Sequence, residues 1–261
     1  VTQAVHTSWS AAPGGGRVAA VTVDNAAKLN IVGSALLGDL QAALAACAAE
    51  PGLRAVVLRG AGDRAFIGGA DIREMADLDP VSARGFITRL HDCCAAVRAL
   101  PVPVMARLQG FTLGAGLEIA AACDLRIAAT DARFGMPEVR VGIPSVIEAA
   151  LLPMLIGWGR TRWLLMTGDI IDANQAERWG LIERVVATDA LDGAIDETVA
   201  MIAACGPAAL AAQKRLMRQW EDLPPARAIE AGIDSFADAF RSDEPRRMMT
   251  AFLDRKRREQ R

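Results

Sequence analysis

At 261 residues and 27.6 kDa the chain can form one large domain, or one domain with an appendage. A net charge of −2 argues against nucleic acid as a partner, and 52% hydrophobic with 23% charged residues excludes a disordered chain. No apolar run approaches the roughly 18 residues of a membrane span, and "VTQAVHTSWSAAPGGG" lacks the basic start and apolar stretch of a secretion signal.

"RVAAVTVD" (17–24) alternates apolar and small residues after the turn signal "PGGG", which predicts the second strand of a hairpin. "SALLGDLQAALAACAAE" (34–50) spaces leucines as a helix does, with Ser34 as N-cap and "PG" as the stop. "LRAVVLRG" (53–60) reads as a buried strand. Residues 79–100 read as helix, 101–110 as strand, 113–124 as helix and 125–130 as strand. Residues 147–157 and 159–168 read as helices; "AERWG" (176–180) ends a short helix, and 181–187 is a strand. From about 189 onward the pattern is helical. Strands alternating with helices predict an α/β core.

The five cysteines, Cys47, Cys93, Cys94, Cys123 and Cys205, form no C-x-x-C and sit mostly among alanines, which suggests buried thiols in a reducing compartment. Neither histidine, His6 or His91, belongs to a metal-ligand pair; His91 reads as a helix residue. There is no G-x-S-x-G elbow, and none of the three lysines follows a glycine, so there is no P-loop. "GAGDRA" (60–65) fits a dinucleotide fingerprint only superficially, because "FIGG" stands where the helix should begin.

Three stretches carry possible chemistry. In "AFIGGADIREM" (65–75), Asp71 and Glu74 have the form of a capping box starting a helix near Ile72. The small residues before it would let a substrate approach unpaired backbone N–H groups, as in half of an oxyanion hole; an ordinary glycine-rich turn is the competing reading. In "GFTLGAGLEIAAACD" (110–124), the Ala115 N–H is expected free at a helix start, with Glu118 one turn later on the same face. A lone carboxylate among Leu117, Ile119, Ala120 and Ala121 is expected in a cleft or buried, where its pKa would rise. In "FGMPEVRVGIP" (134–144), Glu138 follows Pro137 in a loop-like segment; alone, it reads as an exposed glutamate.

Taken together, the chain resembles the crotonase, or enoyl-CoA hydratase/isomerase, superfamily. The resemblance rests on "AKLN" (27–30), "AFIGGAD" (65–71), "GAGLEIAAACDLRIA" (114–128) and "FGMPEVRVGIP" (134–144), then on "LLMTGDIIDANQAERWGLIERVV" (164–186) and "SDEPRRMMTAFLDRKR" (242–257). It implies a spiral of ββα units over residues 1–188 that carries an acyl-CoA site. A C-terminal helical region over 189–261 would mediate trimerisation, giving a homotrimer or a hexamer built as a dimer of trimers. It implies that the N–H groups of Ala70 and Ala115 hold a thioester oxygen. Glu118 would hold and activate water, and Glu138 would exchange a proton at Cα. It places Lys28, Ala65, Gly69, Asp71, Ile72, Gly114, Phe252 and Arg255 along the substrate or its CoA moiety. No metal or redox cofactor is implied, CoA being part of the substrate, and a cytoplasmic location is expected. With both glutamate positions filled, the resemblance favours a hydratase. An isomerase, a CoA-thioester hydrolase and a non-catalytic binding protein are the alternatives.

One segment departs from the family pattern. Where many hydratases have a glycine-rich stretch, this chain has "SVIEAALLP" (145–153). Val146 and Ile147 are expected to reshape the acyl pocket. Glu148 is expected at the surface or at a helix N-terminus, where acid is favoured, with a role at the site as the alternative.

Overall fold

The computed structural model describes residues 3–259. β1 (Ala4–Ala11) and β2 (Arg17–Asp24) form the expected hairpin, paired antiparallel from Ala4 opposite Asp24 to Ala11 opposite Arg17. α1 (Ser34–Ala48) buries Leu36, Leu37, Leu40, Leu44 and Cys47, the stripe read from the spacing.

The chain then winds in three turns. The first holds β3 (Leu53–Gly60), β4 (Ala65–Ile67), α2 (Ile72–Ala76) and α3 (Pro80–Ala99). The second holds β5 (Val104–Leu108), β6 (Phe111–Leu113) and α4 (Ala115–Ala122). The third holds β7 (Leu125–Ala129), β8 (Arg133–Gly135), two 3-10 turns at Pro137–Val141 and Ile147–Leu151, and α5 (Leu152–Thr167). β9 (Ile170–Asp172), α6 (Ala173–Trp179), β10 (Arg184–Val186) and α7 (Leu191–Ala203) follow. α8 (Pro207–Asp222), α9 (Pro225–Ala239) and α10 (Glu244–Glu259) complete the chain.

In each turn the first strand joins a six-stranded sheet, ordered β1-β2-β3-β5-β7-β10. The second joins a four-stranded sheet, ordered β4-β6-β8-β9. Pairing is parallel except at β1–β2 and β8–β9. The small sheet goes unread in the sequence, because strands of three residues are too short to carry an alternation. Leu113 accordingly ends β6, with only Gly114 between it and the helix expected to include it. Residues 147–151 form a 3-10 turn rather than α-helix, and α5 bends at Gly157, whose φ of 76° and ψ of 158° break the ladder between the two helices read there.

The large sheet is buried on both faces, as its continuous apolar strands require. Val56, Leu58, Val104 and Leu108 face α1, α3 and α4; Ala55, Val57, Met105 and Ile127 face α7. α8 is tied to this body by Lys214. Its ammonium donates to Asp124 at 2.7 Å and to the carbonyls of Val102 and Val97 at 3.0 and 3.3 Å. Glu244 closes the start of α8, accepting from the N–H groups of Ala208 and Ala209. Four cysteines are buried, as expected, but Cys205 is exposed. Among the described residues no single helix is long and apolar enough to cross a membrane.

One buried polar side chain organises the loop between β2 and α1. Asn30, fully buried at φ 54°, donates to the carbonyls of Ala61 and Ala65 at 2.9 and 2.8 Å and accepts from Asn25 N at 2.9 Å. Asparagine tolerates this left-handed backbone better than most residues. Asn30→Ala would strand two carbonyls and one amide. It should cost about 3 kcal/mol, read as a lower midpoint in urea with an unchanged m-value.

Candidate active site

Loops from the first two turns converge on a cleft of about 600 Å³. The first runs from β4 to α2. Gly68 N donates to Leu29 O at 2.8 Å, Val32 N to Gly69 O at 3.0 Å, and Asp71 N to Val32 O at 2.9 Å. This is a short parallel pairing of Val32 with Ala70. Along an extended segment successive N–H groups point to opposite sides. With Asp71 bonded to Val32, the Ala70 N–H turns away from its own chain, and no acceptor meets it among the described residues.

The second loop joins β6 to α4. Gly114 N is bonded to Gly135 O at 2.9 Å, and Gly114 O accepts from Leu117 and Glu118. Ala115 N heads the helix, where no intrahelical acceptor exists, and it too lacks a partner among the described residues. Gly114 is favoured by its backbone conformation. Its φ is 52°, and a Cβ there would push the Glu138 carboxylate out of its place beside the loop. Gly116 is held by sterics of another kind, since a Cβ would strike the Ile67 carbonyl as α4 packs on β4. Ala70 and Ala115 both line the cleft.

Glu118 and Glu138 line it as well. Glu118 is 4% exposed on a helix whose eight residues are all buried. Burial first, then the charge of Glu138 and that of Glu148, push its carboxyl up to about 8, against the opposing pull of the Ala149 and Val146 amides. The Ala149 amide lies 3.4 Å from Glu118 Oε1. Glu138, in the 3-10 turn after β8, is half-buried rather than exposed, and accepts from the Ser145 hydroxyl at 2.8 Å.

The other residues singled out in the sequence divide between two places. Gly69, Ile72, Gly114 and Val146 line the cleft. Lys28, Ala65, Asp71, Ile147, Phe252 and Arg255 are not among the residues that line it. Ala65 is buried in β4 as an anchor for Asn30, and Asp71 caps α2 by accepting from Arg73 N. Ile147 packs against the core instead of the acyl space, and its φ of 37° is one that β-branched residues avoid. Lys28 is exposed on the turn after β2. Phe252 and Arg255 stack on each other at 5.7 Å on the exposed α10.

Three readings are corrected. Glu74 does not complete a capping box with Asp71. Its carboxylate reaches across to α1, accepting from the N–H and the hydroxyl of Ser34. Gly33, not Ser34, is therefore the N-cap of α1, and a charge from another element satisfies the helix end. Glu148 is not at the surface: it is 7% exposed, and its Oε1 lies 2.9 Å from His91 Nδ1. Sequence reasoning also missed Ser145, which steadies Glu138, and the apolar wall that α3 supplies with Phe86, Ile87 and Leu90. Only the apolar spacing of α3 hinted at that wall.

A two-sheet spiral that presents two free amides and two acidic side chains to one apolar cleft is the crotonase fold. Its sequence agrees: the profile of the enoyl-CoA hydratase/isomerase family matches residues 14–260, and the chain belongs to that family. It is 32% identical to a crotonyl-CoA hydratase of Syntrophomonas wolfei over 92% of this chain and 93% of that one. It is 33% identical to a short-chain-enoyl-CoA hydratase of Clostridium acetobutylicum over 93% of each. A crystal structure of an enoyl-CoA hydratase from Bacillus anthracis superimposes with a TM-score of 0.91, covering 97% of both chains at 29% identity.

The raised Glu118 carboxyl has a consequence for stability. In the unfolded chain it ionises near 4.5, but in the fold it keeps its proton to about 8. The native state therefore binds more protons in that window, and stability falls as pH rises through it. Glu118→Gln cannot ionise. Its melting temperature should match the wild type at acid pH and exceed it above about pH 8, by on the order of a few kcal/mol in stability. Thermal melts across this range would show the two curves separating; parallel curves would refute the shift.

Proposed function

We propose that this protein is an enoyl-CoA hydratase, adding water reversibly to a trans-2-enoyl-CoA. The observation that carries the reading is the convergence of two unbonded amides and two carboxyl groups on one cleft. In this mechanism the thioester oxygen sits between the N–H groups of Ala70 and Ala115. Water adds at Cβ, the double-bond electrons move toward the carbonyl, and the oxygen takes negative charge as an enolate. Donors already fixed in place stabilise that charge without reorganising; one such donor is typically worth about 3–4 kcal/mol. Glu118 takes the proton of the attacking water, and Glu138 delivers one to Cα. Dehydration runs the same steps backward. CoA enters as part of the substrate, and the mechanism uses no cofactor.

The pair works with one proton between its two members. In the empty cleft that proton rests on Glu118, and a water held by both carboxyl groups lets it pass to Glu138 before hydration. Because no net proton is consumed, the two directions share one pH profile. Above about pH 8 the last proton leaves and neither acid remains.

We also propose that the protein assembles as a trimer or as a hexamer of two trimers. Ile229, Ile233, Phe236 and Phe240 form an exposed apolar stripe on α9 and its C-cap, at the helical spacing of a contact face. Light scattering should give about three or six times 27.6 kDa. A mass equal to one chain would remove this proposal and leave the chemistry untouched.

Crotonyl-CoA should lose the absorbance of its conjugated thioester on incubation with the protein. Glu118→Gln and Glu138→Gln should each lower kcat by about 10²- to 10⁴-fold. In the wild type kcat/KM should fall as pH rises through about 8, equally in both directions. Near-wild-type turnover by either variant would falsify the two-carboxyl mechanism. Release of free thiol would indicate a hydrolase, and a shifted double bond an isomerase.

A further inference from the structure

One polar side chain in the cleft has no part in the mechanism above. Ser145 is half-buried, lines the cleft and gives its hydroxyl to Glu138 Oε2 at 2.8 Å. The local fold brings the two together. The 3-10 turn Pro137–Val141 ends at Gly142, whose φ of 84° turns the chain, and Ile143 N donates back to Glu138 O at 3.2 Å. Residues 143–145 therefore return over Glu138. The other carboxyl oxygen, Oε1, lies against Gly114, at the place a Cβ on that residue would take. The Glu138 carboxyl is thus held between a hydroxyl on one side and the loop that carries the Ala115 amide on the other.

We propose that Ser145 is a positioning residue for Glu138: by holding Oε2 it presents Oε1 to the substrate Cα. A half-buried glutamate has several rotatable bonds and, left to itself, spreads over several rotamers. A hydrogen bond from a hydroxyl to a carboxylate is short and directional enough to select one of them. The thioester oxygen held at the Ala115 N–H is two bonds from Cα. The carboxyl oxygen beside Gly114 is therefore the one within reach of the proton at Cα, and Ser145 occupies the other. This inference rests on the hydratase reading above, which gives Glu138 the proton at Cα.

Two observations separate this role from that of a loop fastener. The turn is already closed by its backbone, through the Gly142 and Ile143 amides that return to Glu138 O, so its path does not depend on the hydroxyl. Among the described residues Ser145 is also the one hydrogen-bond donor to the Glu138 carboxyl. The neighbouring cation, Arg140, gives its guanidinium to the Thr167 carbonyl instead.

The test reads Glu138 apart from hydration. Butanoyl-CoA has no double bond to hydrate, but in heavy water its Cα proton can exchange. Glu138 Oε1 takes that proton, the C–H electron pair moves into the carbonyl as an enolate held by the two amides, and a deuteron returns from the carboxyl once it has exchanged with solvent. Loss of the Cα proton signal in NMR gives the rate. Ser145→Ala should lower the exchange rate at saturation about ten-fold, as expected for one hydrogen bond to a charged group, and leave the half-saturating concentration within about two-fold of the wild type. Ser145→Thr keeps the hydroxyl and should recover most of the rate. A hydroxyl that served only the loop would show as a lower melting temperature with the saturated rate unchanged, and that result would overturn the proposal. So would a wild type that exchanges no Cα proton, or a Ser145→Thr rate as low as that of Ser145→Ala. If Ser145→Ala does not fold, Ser145→Gly is read in the same way. Hydration of crotonyl-CoA is followed separately, so the proposal can fail while the hydratase reading stands. That reading can fail, through release of thiol or a shifted double bond, while Ser145 still governs exchange at Cα.

Discussion

A peptide N–H with no acceptor is normally a defect, and among the described residues this fold leaves two of them, those of Ala70 and Ala115, in the lining of one cleft. The short pairing of residues 29–32 with 68–71 is what makes the first possible. It uses the neighbouring amides and carbonyls for its own hydrogen bonds, so that the Ala70 N–H is the group left over. At Ala115 the same result comes from a helix start, whose amides have no partner by construction. Gly114 allows the chain to enter that helix with a left-handed backbone and leaves the Glu138 carboxylate room beside it. Asn30, Glu74 and the small sheet all serve to keep these two loops in register.

The acidic side of the cleft depends on a different balance. Glu118 is placed where ionisation is expensive, and two further carboxyl groups raise the expense. The fold offsets this with backbone amides from Val146 and Ala149 and by letting Glu118 stay protonated. Such a site gives up stability at alkaline pH in return for an acid available near neutrality. The segment "SVIEAALLP" contributes to every part of it. Ser145 steadies Glu138, Val146 lines the cleft, and Glu148 lies behind Glu118. The strained φ of Ile147 turns the chain between the last two.

The C-terminal helices divide between anchoring and exposure. α7 covers one face of the large sheet and is part of the core. α8 is fastened by Lys214 and Glu244, both buried and fully engaged. α9 and α10 carry large apolar side chains into solvent in the single chain, where their hydrophobic area gains nothing.

The sequence by itself determined the long elements and the residues around which the site is built. The hairpin strand 17–24, α1, β3 and α3 were legible because apolar periodicity extends over many residues in each. Ala115 and Glu118 stood out because a small-residue helix start and a lone acid are conspicuous in an apolar run, whereas Ala70 and Glu138 were marked only by the resemblance to the crotonase superfamily. Only the tertiary structure decided where those acids and amides point and what they meet. Three-residue strands carry no period, so the second sheet was invisible. Glu74 looked like a local cap and proved to serve a distant helix, and Glu148 looked like a surface acid and proved to be buried against His91. In each case the deciding partner is 40 or more residues away in sequence. A hydrogen bond or a desolvated charge is fixed by proximity in space, which a local pattern does not encode.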